Sequence, residues 1–241
     1  MLRVRGLTVG YGAEPVLEGL DLEVKAGKFV TLLGPSGSGK TSVLRCVTGL
    51  LRPQAGRVEL DVAPSDVGFL FQDDALLPWR TVRQNVALGA AEGAAERWLD
   101  LLGLEGLGGR YPRQLSGGQR KRVAIAQVLA LEPKLLLMDE PFASLDAIVR
   151  TRITQELLRW VEQHHLTVLL VTHDLEEAIS ASDTVCVLSQ GPRASIRARR
   201  EVPISRPRDM LESRRHPAFG PLLQRLWADL SGEPAPVDYA L

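Results

Sequence analysis

The sequence predicts an α/β fold, a largely parallel sheet with helices on both faces and a mostly helical segment inserted into it. Three observations carry this expectation. Apolar runs of buried-strand length alternate with helical patterns: FVTLL at Phe29–Leu33, LLLM at Leu135–Met138, TVLLV at Thr167–Val171, and Thr184–Leu188. A glycine-rich loop, GPSGSGKT at Gly34–Thr41, joins the first of these runs to a helix. After Gln72 the character changes, and residues 73 to 115 hold no convincing strand.

Taken in order, Leu2, Val4, Leu7 and Val9 suggest an early pair of strands, with Gly6 and Gly10 as breaks. Leu20, Leu22 and Val24 alternate with Asp21 and Glu23, the pattern of a half-buried strand. Beyond the glycine loop, Thr41–Leu50 reads as a helix with Val43, Leu44, Val47 and Leu50 on one side. The apolar run VGFLF follows and ends at Gln72. Ala94–Leu102 suggests a short helix, and Ser116 is a good N-cap for a helix reaching Leu131. Ile148 or Val149, Ile153, Leu157 and Val161 recur at helical spacing, with His164 and His165 as the solvated close of that helix. Gly191–Arg208, rich in Pro and Arg, reads as a loop with a short edge strand. Phe219, Leu222, Leu223, Leu226, Trp227 and Leu230 form one stripe of a C-terminal helix over residues 216–231, packed on its own domain. The closing GEPAPVDYAL reads as frayed. The expected organisation is one domain, 1–241, with a helical subdomain at 73–131.

Bulk properties narrow the function classes. Of 241 residues 45% are apolar, enough for a sizeable core. Lys and Arg total 29, as do Asp and Glu, so the net charge is zero and there is no basic excess to suggest a nucleic-acid surface. No apolar run is long enough to span a bilayer, and MLRVRGLTV lacks the apolar core of a leader peptide, so a soluble chain is expected. Cys46 and Cys186 read as buried thiols rather than a disulfide.

The chemistry concentrates at strand ends. In GPSGSGKT, Gly34, Gly37 and Gly39 let backbone N–H groups face a polyphosphate, with Pro35, Ser36, Ser38 and Ser42 completing the loop and helix start. Lys40 would reach the outer phosphates, and the Thr41 hydroxyl would ligate Mg²⁺. LLLMDE ends a buried strand in two acids, Asp139 to hold Mg²⁺ and Glu140 to polarise a water toward a γ-phosphate. Pro141 then turns the chain, which keeps both acids at the sheet edge. His173 follows TVLLVT and so reaches a carboxyl edge as well. A second anion-gripping pattern, QLSGGQRKR, starts at Gln114: Ser116 and the N–H groups of Gly117 and Gly118 suit a γ-phosphate, but alone would be too weak to hold a nucleotide.

GPSGSGKT, Gln72, LSGGQ, LLLMDE, Ser144-Leu145-Asp146 and His173, in this order and over nearly the whole chain, resemble the ATP-binding cassette (ABC) ATPases. The resemblance implies a P-loop NTPase core with an N-terminal antiparallel β part, ATP and Mg²⁺ as cofactors, and a role for each residue. Tyr11 corresponds to the aromatic that stacks on adenine. Gln72 touches Mg²⁺ and the attacking water, Glu140 is the catalytic base, and His173 is the switch histidine. Asp146 helps connect two sites. Ser116, Gly117, Gly118 and Gln119 of one subunit cover the ATP held by another in a head-to-tail dimer, which would explain two phosphate cradles in one chain.

The same resemblance supplies partners. DDALLPWRTVRQNVALG, Asp73–Gly89, is similar to nitrate, sulfonate and taurine importers. It implies a separate transmembrane permease, a periplasmic or lipid-anchored solute-binding protein, and a place on the cytoplasmic face of the membrane. Leu76, Leu77 and Trp79 are candidate permease contacts, or simply packing residues. Two departures from the group are Gln127, where arginine is common, and a short segment between Arg57 and Gln72. Rival expectations are a thiamin-precursor importer, a soluble ABC protein of translation or DNA repair, and a nucleotide-bound assembly module without turnover.

Overall fold

The computed structural model describes residues 1–12, 14–142 and 145–233. Ser144 and residues 234–241 of the closing stretch lie outside them. In chain order the elements are β1 (Leu2–Val9), β2 (Leu17–Val24), β3 (Phe29–Leu33), α1 (Lys40–Val47), β4 (Ala55–Leu60) and β5 (Val67–Leu70). Then come α2 (Val82–Val86), α3 (Ala94–Leu101), α4 (Gly117–Leu129), β6 (Leu135–Asp139), α5 (Ala147–Gln163), β7 (Thr167–Thr172) and α6 (Leu175–Ala181). β8 (Thr184–Leu188), β9 (Ile196–Glu201), α7 (Glu212–Arg215) and α8 (Phe219–Ser231) close the chain.

Two sheets result. One is antiparallel, ordered β2-β1-β4, and the other runs β5-β6-β7-β3-β8-β9, parallel except for β9. The expected largely parallel sheet, antiparallel N-terminal part and edge strand are all present, the edge strand β9 pairing antiparallel to β8. β6 and β7 are buried on both faces, which is why their sequences are continuous apolar runs rather than alternations. Leu135, Leu137, Leu169 and Val171 pack toward α1 and the antiparallel sheet. Leu136, Met138, Val168 and Leu170 pack toward α3, α4 and α5. A third cluster joins α6 and α8 to β3 and β8 through Leu33, Ile179, Val187, Phe219 and Leu226. Each fully buried Leu or Val contributes about 1.5–3 kcal/mol, so the central strands are the rigid frame on which the loops at their carboxyl ends are mounted.

Several expectations need correction. The early strand pair is one strand: Gly6, at φ +56°, marks a bulge in β1 rather than a break, and its N–H donates to Asp21 Oδ1. The helix expected to reach Leu50 stops at Val47, where the Thr48 hydroxyl donates to Leu44 O and Arg45 O. Gly49, at φ +74°, turns the chain so that Leu51 N–H closes onto Arg45 O. Leu50 therefore leaves the packed face and is exposed. The α4 helix ends at Leu129 rather than Leu131, and the C-terminal helix starts at Phe219 rather than 216. Ile148 is exposed, and Val149 packs against the core in its place. Arg57 lies in an unforeseen edge strand, β4, which ends at Leu60, and the short segment runs on through β5 to Gln72. Across 73–131, the described elements are helical.

Candidate active site

The glycine loop leaves the carboxyl end of β3, central in the parallel sheet, and opens α1. Gly39 sits at φ +86°, and a Cβ there would lie 2.6 Å from Leu17 Cγ, so both conformation and space demand glycine. A Cβ on Gly34 would meet Ser38 Oγ at 2.9 Å. Ser38 Oγ itself is buried with no hydrogen-bond partner. Pro35 is partly covered, and Ser36 and Gly37 are exposed at the loop's outer side. The Lys40 ammonium folds back over the loop and donates to Gly34 O at 2.8 Å and Pro35 O at 2.9 Å. Burial pushes its pKa below the ordinary value, against the pull of Glu140 and Asp139. A desolvated cation resting on carbonyls, above a loop with an orphaned hydroxyl, is a site built to receive an anion.

The acids come from the end of β6, which lies beyond β7 in the same sheet. Asp139 Oδ1 accepts from Thr41 Oγ1 at 3.1 Å, and burial raises the carboxyl pKa against that bond. Hydroxyl and carboxylate together form a hard-oxygen pair suited to Mg²⁺. Among the described residues, no cluster of three or more His, Cys, Asp or Glu could hold a metal. Mg²⁺ is habitually held by one or two carboxylates together with substrate phosphates.

Glu140 is the most constrained residue of the set. Its φ is +43°, in a region that costs a non-glycine residue about 1–3 kcal/mol. Its N–H is held by Val171 O at 2.9 Å, across to β7. This geometry places the carboxylate between two partners: Lys40 Nζ is 3.9 Å from Oε1, and His173 Nδ1 is 3.2 Å from Oε2. Glu140 is 17% exposed and His173 55%, so an acid shielded on its inner side meets an imidazole at the solvent edge. The structure thus brings together Lys40, Thr41, Asp139, Glu140 and His173. Tyr11, 66% exposed, is tied to the same helix start, its hydroxyl 3.0 Å from Ser42 Oγ.

The second cradle is elsewhere, at the start of α4. Ser116 Oγ accepts from Gln119 N at 3.2 Å, and Gln119 Oε1 accepts from Ser116 N at 2.9 Å, a reciprocal capping box. Ser116 and Gly117 are exposed, and Gly118 and Gln119 partly so. Among the described residues, no hydrogen bond or ion pair joins this group to the glycine loop. Asp146 is likewise exposed and caps α5 by accepting from Val149 N at 3.0 Å. Gln72 follows β5, exposed, with its carbonyl engaged by Lys121.

That lysine is a residue that sequence reasoning missed. Lys121, inside the basic run that follows the glycines, is fully buried and donates to both Phe71 O and Gln72 O at 2.9 Å. Burial lowers its pKa, against Asp74, Asp73 and Asp139. Arg120 reaches the same segment, its Nε 3.1 Å from Asp74 Oδ2. The run after LSGGQ therefore fastens the Gln72 segment to α4 instead of facing an anion. A signal was present: Lys121, Ile125 and Leu129 share one helical stripe.

Comparisons with known proteins bear on the whole assembly. Residues 17–143 match the model of the ABC transporter family. An aliphatic sulfonates import ATP-binding protein of Rhodococcus jostii is 41% identical over 235 residues, covering 96% of this chain and 95% of its own. A second such protein, from Paraburkholderia xenovorans, is 47% identical over 192 residues, 78% of this chain and 76% of the relative. The bicarbonate transport ATP-binding protein of Synechocystis sp. is 42% identical over 90% of this chain, which spans only 35% of that longer relative. Among solved structures, a dimeric post-hydrolysis state of an ATP-binding cassette bound to ADP and Pi superposes with a TM-score of 0.74 at 30% identity, covering 85% of this chain and all of the other.

Proposed function

This chain belongs to the ABC transporter family and is an ABC ATPase; from that premise we propose that it is the ATP-hydrolysing subunit of an importer for a small anion. The observation that carries the proposal is Glu140, held in a strained backbone conformation between Lys40 and His173 at the mouth of the glycine loop. Water attacks the γ-phosphorus, the bond to the ADP oxygen breaks, and the water proton passes to the Glu140 carboxylate. Hydrolysis of this kind depends on positioning and charge neutralisation more than on covalent help. Lys40 supplies a positive charge already stripped of water, and His173 orients the reacting oxygen beside Glu140. Thr41, Asp139 and Gln72 would hold Mg²⁺, which when bound neutralises charge on the phosphates. Gly34, Pro35, Ser36, Gly37, Ser38, Gly39 and Ser42 line the phosphate cradle, and Tyr11 offers the adenine an exposed ring.

Ser116, Gly117, Gly118 and Gln119 complete the site from a second copy, with Asp146 at the junction. Support comes from their exposure and from the dimeric ADP- and Pi-bound cassette to which the fold is similar. Among the described residues, no helix is long and apolar enough to cross a membrane. The names of relatives as import ATP-binding proteins support a membrane path in separate permease subunits, with this chain at their cytoplasmic face. A solute-binding protein would deliver the cargo. Candidate anions include nitrate, an alkanesulfonate or taurine, alongside the bicarbonate, sulfonate and sulfate in the names of relatives. A role in translation or DNA repair finds no support in those relatives.

Steady-state phosphate release tests the assignment. A general base contributes about 10²–10⁴ in rate, so Glu140→Gln should lower turnover about 10³-fold while ATP binding persists. Hydrolysis at the wild-type rate in that variant rules out the assigned base.

A further inference from the structure

The mechanism leaves one buried acid unused. Glu177 lies in the first turn of α6, 7% exposed, on the helix that follows the switch histidine. Its Oε2 accepts from Thr172 Oγ1 at 2.5 Å, and its Oε1 has no hydrogen-bond partner. Thr172 Oγ1 in turn accepts from Asp174 N at 3.1 Å. Thr172 precedes His173 and Asp174 follows it, so the chain of bonds grips the histidine on both sides. Asp174 Oδ1 also accepts from Glu176 N and Glu177 N, and its Oδ2 faces Arg150 of α5 at 3.4 Å. The outer side of α6 is fixed as well, by Arg214 of α7 on Glu176 at 2.8 Å.

A fold that wanted only a helix here would not bury a half-satisfied carboxyl group, because an unmatched buried oxygen is destabilising. We propose that Glu177 is a positioning residue for hydrolysis: through Thr172 it fixes the 172–174 turn and so holds the His173 imidazole against Glu140. This rests on the reading of Glu140 and His173 as the hydrolytic pair. Among the described residues, no hydrogen bond or ion pair joins the Glu177 carboxyl to either of them; it acts on the two residues that frame the histidine. Burial lifts its carboxyl pKa to about 7, so the clamp contains a group of the kind found beside functional sites.

The test is a double-mutant comparison in the ATPase assay, with kcat and KM for ATP measured separately. Thr172→Val keeps the shape of the buried side chain and removes the bridging hydroxyl. Glu177→Gln keeps the hydrogen bond, and Glu177→Leu removes it. Thr172→Val and Glu177→Leu are expected to lower kcat about tenfold with KM unchanged, and Glu177→Gln to restore most of the loss. In a His173→Ala background, the same changes should have no further effect. Equal fold-losses with and without His173, or full activity of both Thr172→Val and Glu177→Leu, would overturn the clamp while leaving Glu140 as base. If Glu177→Leu does not fold, Thr172→Val alone decides by the same comparison. An unchanged rate in His173→Ala would remove the clamp together with the histidine's role, and Glu140→Gln would then report on the base separately.

Discussion

The two phosphate cradles of this chain are built on opposite principles. The glycine loop is enclosed and supplied with charge: Lys40, Asp139 and Glu140 are packed against one another, and Gly39 has no room for a side chain. The LSGGQ turn is open and carries no charge of its own. Its serine and glutamine satisfy each other, and a Cβ on either glycine would make only ordinary contacts, at 3.7 Å or more. An anion meeting the first cradle finds a desolvated cation, whereas at the second it finds a helix start worth about 0.3–1 kcal/mol in solvent. The difference teaches that the second cradle works only when something else presents the phosphate to it; in the proposed function that is the nucleotide held by a second copy.

Three experiments break or sharpen this contrast. The largest effect is expected at the open cradle: Ser116→Arg should lower phosphate release about 100-fold, in line with loss of a transition-state anion donor, without changing ATP affinity measured in the monomer. Unchanged turnover would mean that the turn takes no part. Next, Gly39→Ala should destabilise the fold by about 1–3 kcal/mol through overpacking against Leu17 and strain at φ +86°. By contrast, Gly117→Ala, whose Cβ comes no closer than 3.8 Å to a neighbour, should leave the melting temperature unchanged. Equal melting temperatures in the two variants would erase the distinction between enclosed and open glycines.

The third test reads a change with pH rather than a loss, and concerns the buried carboxyl group of Glu177. Glu177 ionises near its ordinary 4.5 when unfolded and at about 7 when folded. Between these values the folded state holds more protons than the unfolded state, so stability falls as pH rises through the window and levels off above it. The slope is at most about 1.4 kcal/mol per pH unit. Chemical unfolding of wild type and Glu177→Gln from pH 5 to 8 should give curves whose difference has this slope, and parallel curves would contradict it.

Much of the enclosed half was legible in the sequence, and for a physical reason. FVTLL, LLLM and TVLLV are buried on both faces, so apolar runs without alternation identify central strands and, with them, the loops at their carboxyl ends. Ser116 was readable as a cap because N-cap chemistry is local. Strand β4, AGRVEL, was not readable: it is a charged edge strand, exposed over its first half, with only Val58 and Leu60 partly buried against the core. Helix α6, seven residues long, is too short for a helical period, although Asp174 with Glu176 and Glu177 was a usable start signal. Lys121 and Glu177 were missed because charged residues are by default surface residues, and only their partners in space, Gln72 and Thr172, reveal them.

Nucleotide-driven pairing tests the central claim most directly. Glu140→Gln, saturated with ATP and Mg²⁺, should sediment as a dimer and return to a monomer with ADP, and adding Ser116→Arg should abolish the dimer. A species that remained monomeric under those conditions, alone and in the presence of its permease, would contradict the shared-site account.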